Sequence, residues 1–185
     1  MFFKEQAIEI NHMDIIFRSA RAEDAEQLMS YLIATSKETP FLIREPEEIT
    51  LTLQQEENFL REKEESPREL LLLALENGNH IGSCSISSLG GFSRYAHRCS
   101  IAIALYQKYC GQGIGRKMME AALKAAEEMG YEQAELEVAS SNYLAIALYK
   151  SLGFTKYGVF PDNMKYKDGS YEDAFWMMKK LRQQP

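Results

Sequence analysis

The stretch from Ile103 to Phe154 constrains this chain most, because it joins a strand, a glycine turn opening a helix, a second strand and a capped second helix. The strand Ser100-Ile-Ala-Ile-Ala-Leu105 runs through Tyr106-Gln-Lys-Tyr-Cys110 into Gly111-Gln112-Gly113-Ile114-Gly115, and then into the amphipathic run Arg116 to Met129. That order builds a phosphate cradle. Glycines let the backbone approach a ligand closely. The free N–H groups of a helix's first turn point at an anion, aided by the helix dipole at roughly 0.3–1 kcal/mol per charge. Arg116 adds a positive charge there.

The Gly111-x-Gly113-x-Gly115 spacing is weak evidence alone, since it lacks the Gly-x-x-Gly of a dinucleotide turn and the Gly-Lys-Ser/Thr of a P-loop. The residues that follow give it weight. After the strand Ala134-Glu-Leu-Glu-Val138 comes a short helix, with Asn142 as a good N-cap, Tyr149 within it and Gly153 at its C′ position before Phe154.

At 185 residues the chain fits one domain, long enough to bury about 70% of the surface of its unfolded form. We read residues 1–13 as an N-terminal extension and 14–182 as the domain. The chain is 26% charged and 45% hydrophobic, and no apolar run is long enough to span a bilayer. Met1-Phe-Phe-Lys-Glu-Gln is broken by charge too early for a secretory signal, so a cytoplasmic protein is expected. Cys84, Cys99 and Cys110 have no Cys-x-x-Cys spacing and no histidine cluster beside them, so neither a disulfide framework nor a metal site is expected. A net charge of −6 argues against nucleic-acid binding and favours cationic partners, including amines.

Along the chain, alternating Ala7–Asn11 is a possible edge strand, followed by a strand at Ile15–Arg18 and helices over about 22–35 and 47–65. A hairpin follows, its strands Glu69–Leu75 and His80–Ile86 flanking the Asn77-Gly78 turn. Beyond the central stretch, strands are expected at about Thr155–Phe160 and Tyr171–Met178.

Taken together, the glycine turn with its long helix and the signature Asn142-x-x-Ala145-x-x-Leu148-Tyr149-x-x-x-Gly153-Phe154 resemble the GNAT superfamily of N-acetyltransferases. The resemblance implies an α/β three-layer fold: a mixed, twisted sheet of about seven strands with helices on both faces. Its fourth and fifth strands would part at one end. It implies acetyl-CoA as cosubstrate, with pantetheine along Ile103, Ala104 and Leu105 and pyrophosphate on Cys110, Gly111, Gln112, Gly113, Ile114, Gly115 and Arg116. Asn142 and Tyr149 would complete that site. Cys110 departs from the family's usual Arg or Gln, so contacts at that corner are expected to be weakened or rearranged. A homodimer is common in the family.

Acetyl transfer needs a neutral amine and a proton for the departing thiolate. Deprotonating a lysine costs roughly 4–5 kcal/mol at pH 7, whereas an α-amine costs about 1 kcal/mol. Leu136-Glu137-Val138 with the later signature resembles the ribosomal-protein N-terminal alanine acetyltransferases, in which the residues matching Glu137 and Tyr149 serve as base and acid. Other readings stay open: Glu137 as an ordinary outward strand residue beside Glu135, and Tyr149 as core packing. The acceptor is a small amine or a protein amino terminus. Its pocket is expected between the first two helices, at Gly90–His97 and after the strand from Thr155. Phe41, Ile43, Tyr95 and Phe160 would wall it, and Glu38, Asp162 and Asp168 would attract the amine. The rival class is a CoA-binding regulatory protein of the same fold without transfer activity.

Overall fold

The computed structural model describes residues 3–181, so the first two residues of the expected extension and the last of the expected domain lie outside it. In chain order the elements are β1 (Gln6–Ile10), β2 (Met13–Ser19), α1 (Ala25–Glu38), α2 (Leu53–Glu65), β3 (Leu70–Glu76) and β4 (Asn79–Ser88). Then come β5 (Arg98–Leu105), α3 (Ile114–Glu128), β6 (Gln133–Ala139), α4 (Tyr143–Ser151), β7 (Thr155–Lys165) and β8 (Tyr171–Lys180).

The strands make one eight-stranded sheet in the order β1-β2-β3-β4-β5-β6-β8-β7. All neighbours are antiparallel except β5 and β6. The strand beyond the expected seven is β1, the alternating segment near the start, which hairpins onto β2 through Asn11 and His12, both at positive φ. At the predicted Asn77-Gly78 turn both residues also have positive φ, as a two-residue hairpin turn requires.

Helices cover both faces. Ile114, Met118, Ala122 and Ala126 of α3 and Ile146 of α4 pack with Phe17, Leu72, Ile86 and Val138 on one face. On the other, Leu28 and Tyr31 of α1 and Leu60 of α2 pack against Leu73 and Leu75. The helix expected from residue 47 is interrupted. A short 3₁₀ turn at Pro46–Glu48 precedes the loop, and α2 starts only where Thr52 accepts from the Gln55 N–H and the Gln55 side chain returns the bond.

The sheet parts in the middle. Only Arg98, Cys99 and Ser100 of β5 pair with Gln133, Ala134 and Glu135 of β6, although both strands run on. The register tells which backbone groups are left facing the gap. Tyr106 donates its N–H to Ile81 on the β4 side, while the His97 carbonyl accepts from Glu132 on the β6 side. Backbone direction alternates along a strand, so even-numbered residues of β5 pair with β4 and odd-numbered ones face β6. Ile103 and Leu105 therefore present N–H and C=O groups to the gap, and Ala104 is turned to Ser83.

Candidate active site

The glycine turn lies at the open end of this gap. Gly111 and Gly113 have φ of +75° and +89°, in the left-handed region where a side chain costs roughly 1–2 kcal/mol. Gly115 lies close to β5: a Cβ there would be in ordinary contact with Leu105 Cδ1, at 3.4 Å. Gly113 caps α3, and the first helical bond runs from Lys117 N–H to its carbonyl. The N–H groups of Gly113, Ile114, Gly115 and Arg116 are thus left without an intrahelical acceptor. Four donors around a dipole's positive end are suited to an anion.

Neighbouring side chains fix this turn. Asn11 Nδ2 donates to the Gln112 carbonyl at 2.8 Å, so the β1–β2 hairpin pins the turn from outside. Gln112 Nε2 donates to the Lys108 carbonyl at 2.6 Å. Cys110 is exposed and its thiol turns back toward the Tyr106 carbonyl, 3.7 Å away. Arg116 donates to Ser151 Oγ at 2.8 Å, tying α3 to α4. Cys84 and Cys99 are buried free thiols, as their apolar surroundings in the sequence suggest.

Across the gap, Asn142 Oδ1 accepts from the Ala145 N–H at 3.2 Å and so caps α4. The Glu172 carboxylate binds the preceding turn, accepting from Ser140 Oγ at 2.6 Å and from the Ser141 N–H and Oγ at 2.9 Å. The start of α4 is therefore held twice. Tyr149 projects from this helix into the core, its ring 5.9 Å from Phe154, and it is 7% exposed. Burial pushes its hydroxyl well above the usual phenol range, and that hydroxyl makes no hydrogen bond to any described residue. Burial therefore keeps the phenol protonated at neutral pH and raises the cost of giving that proton up.

Glu137 lies on the opposite face of β6, exposed, with both oxygens engaged. Asn163 Nδ2 donates to one at 2.8 Å and Trp176 Nε1 to the other at 2.8 Å. Glu135 shares this face, as the alternation predicts, but has a different role. Burial raises its carboxyl, and hydrogen bonds from Arg98 override that and hold it below the usual carboxylate range. It is the buried half of an ion pair. Glu137 is held only by neutral donors.

Trp176, Asn163 and Tyr31 are site neighbours that sequence reasoning missed. Tyr31, on α1, donates its hydroxyl to the Ala104 carbonyl at 2.6 Å, so that this carbonyl serves the fold on both sides. Nothing in their spacing marks them.

A cleft of about 520 Å³ opens between the loop after α1 and the far half of β7, lined by Lys37, Ile43, Arg44, Asn163 and Lys165 among others. Two of the three expected acceptor loops meet there. Phe92 and Tyr95 of the third line a separate hollow. Two of the three carboxylates expected to attract an amine are otherwise used: Glu38 accepts from the Gln107 N–H at 2.6 Å, and Asp168 accepts from the Ser170 N–H at 2.9 Å within its turn. Among the described residues, no group of three His, Cys, Asp or Glu side chains gathers as a metal site, and no helix is long and apolar enough to cross a membrane.

A sheet parted beside an N–H cradle, with helices on both faces, is the frame of an acetyltransferase. The chain belongs to the acetyltransferase (GNAT) family, whose model matches residues 26–154. It is 38% identical over 101 residues to an N-alpha-acetyltransferase of Saccharolobus solfataricus, covering 54% of this chain and 57% of the relative. It is 40% identical over 75 residues to the ribosomal protein bS18-alanine N-acetyltransferase of Escherichia coli, covering 40% of this chain and 50% of that protein. The chain thus spans about half the length of the curated relatives it matches. Its fold superposes on a GNAT-family acetyltransferase from Streptococcus pneumoniae with a TM-score of 0.86 and 28% identity, covering 90% and 99% of the two chains. A Salmonella typhimurium protein solved with its cofactor acetyl-CoA matches with a TM-score of 0.81 and 20% identity, over 92% and 96%.

Proposed function

We propose that this protein transfers the acetyl group of acetyl-CoA to a primary amine by direct attack in a ternary complex. One observation carries this reading: β5 and β6 part just where Ile103 and Leu105 turn unpaired N–H and C=O groups into the gap, next to the cradle that opens α3. An amide-bearing arm that ends in a pyrophosphate fits that arrangement, and acetyl-CoA has both parts.

Acetyl-CoA supplies an activated thioester. The N–H groups from Gly111 to Arg116 bind the pyrophosphate, and Ile103 and Leu105 pair with pantetheine, while Ala104 spaces them and stays on β4. Cys110 contributes backbone rather than charge. Tyr149 gives its proton to the departing thiolate. Glu137 takes a proton from the amine, directly or through water, from the other face of the sheet. No metal takes part in these steps.

For the acceptor we propose an α-amine. The support is energetic: freeing its lone pair at pH 7 costs about 1 kcal/mol, within reach of one carboxylate. The names of the two curated relatives agree with it. Three unpaired cysteines fit a reducing, cytoplasmic setting.

Calorimetry with acetyl-CoA, followed by a free-thiol assay over α-amines and lysine-type amines, tests the reading. Binding with amine-dependent thiol release is expected. Binding without release from any amine would leave a CoA-binding protein instead.

A further inference from the structure

The acceptor cleft carries a charge pattern that narrows its substrate. Three cations face it: Lys37 in the last turn of α1, Arg44 in the loop that follows, and Lys165 at the end of β7. The carboxylates beside them are committed elsewhere. Glu38 accepts from the Gln107 N–H at 2.6 Å. Glu45 pairs with Lys167 at 3.0 Å, and Lys167 also bridges Glu47 at 3.3 Å. Among the described residues, Lys37, Arg44 and Lys165 form no ion pair within 4.0 Å. Arg44 has the buried Glu56 in its field, and Lys165 lies 5.3 Å from the Tyr171 ring. Lys37, Arg44 and Lys165 against Glu38 and Glu45 leave the lining with one cation in excess, in a protein of net charge −6.

This basic cleft joins the proposed base through one residue. Asn163 lines the cleft and donates to Glu137 at 2.8 Å. Asn163 lies where the register of β7 on β8 shifts, between Phe160 and Met164, and Lys165, opposite Tyr171, is two residues further on and lines the same cleft. A carboxylate at one end and cations at the other complement a molecule whose amine and anionic group lie a few ångströms apart. A polyamine or an aminoglycoside would set like charges together.

Resting on the transfer reading above, we infer that the acceptor is an amine that carries a carboxylate or another anionic group within about one residue's length, held by Lys37, Arg44 and Lys165. Either a free acidic amino acid or a peptide with an acidic residue next to its terminal amine has this chemistry.

Matched acceptors that differ only in charge test it, with thiol release as the readout: the α-amide of glutamate against the α-amide of glutamine, and C-terminally amidated Ala-Glu against Ala-Gln and Ala-Lys. The expected result is a KM about five- to tenfold lower for the acidic member, as one or two screened charge contacts would give, with the difference shrinking as salt is raised. Whichever pair shows the larger ratio identifies the source. Arg44→Gln and Lys165→Gln should abolish most of that ratio, while acetyl-CoA binding, which neither residue touches, holds. The double charge reversal Arg44→Glu with Lys165→Glu should turn the preference toward Ala-Lys, a gain that misfolding cannot mimic. Equal KM values across each pair, a wild-type preference for Ala-Lys, or ratios that the variants leave intact would overturn the inference while the transferase stands. Acetyl-CoA binding without thiol release from any member would overturn the transfer reading, and this inference with it.

Discussion

Glu137 and Trp176 stand directly opposite each other on β6 and β8, and the indole N–H spans that pair to reach the carboxylate at 2.8 Å. A side chain on a neighbouring strand thereby fixes the rotamer of the proposed base. Trp176 is stacked in turn on Tyr157 and leans on Phe160, so the donor is itself held. Glu137→Gln should lower kcat/KM by about 10²-fold. Trp176→Phe, which keeps the ring but loses the donor, should cost about fivefold, the worth of roughly one hydrogen bond. Steady-state kinetics on both variants checks the order; equal losses would mean that Trp176 does more than orient.

Tyr149→Phe removes only the hydroxyl from a buried ring. Turnover should fall by about 10²-fold or more while acetyl-CoA binding stays within twofold. Unchanged kcat at saturating substrates would end the acid assignment.

Asn11→Ala releases the Gln112 carbonyl from the β1–β2 hairpin. The cradle then has to be ordered on binding, and the dissociation constant for acetyl-CoA should rise about fivefold, equivalent to one ordinary hydrogen bond. Because the bond is exposed, the unfolding midpoint should barely move. Calorimetry paired with urea unfolding separates the two effects.

His80 is buried at 6% exposure, its Nδ1 has no partner among the described residues and its Nε2 lies 2.9 Å from the Gly82 carbonyl. Burial lowers its pKa to about 4, despite the carbonyl's opposite pull. The unfolded chain takes up a proton near pH 6.5 and the folded one only near 4, so stability falls as the pH is lowered through that window. The slope should approach about 1.4 kcal/mol per pH unit. Urea unfolding of wild type and His80→Gln between pH 7 and pH 4 isolates it, because other groups cancel in the difference. Parallel curves would show that His80 does not titrate there.

Local signals were legible in the sequence, and distant ones were not. Asn77-Gly78 marked its hairpin because a two-residue turn demands positive φ at both positions. The glycine turn and the cap of α4 were likewise readable within a few residues. Tyr31 reaches Ala104 across 73 residues, and Trp176 reaches Glu137 across 39, by contacts that only the sheet order creates. The sequence marks the strand but not its phase: Ile103, Ala104 and Leu105 look alike until the register with β4 sends Ala104 the other way. The helix expected from residue 47 was misplaced because Pro46 and Glu48 make a turn of their own, while the Thr52 and Gln55 box that opens α2 went unread.

The three residue pairs at the root of the gap have a mechanical consequence. With the bonds from the Glu132 and Gln133 N–H groups to the His97 carbonyl, they form the backbone seam, among the described residues, between one plate of five strands and another of three. The Arg98–Glu135 ion pair lies across that seam like a rivet, joining Arg98 in the first pair to Glu135 in the last. Plates fastened at one corner change their spacing at the far corner by flexing, with no ladder bond broken. The mouth between Leu105 and Ala139 is therefore the part of the sheet whose width no backbone ladder fixes.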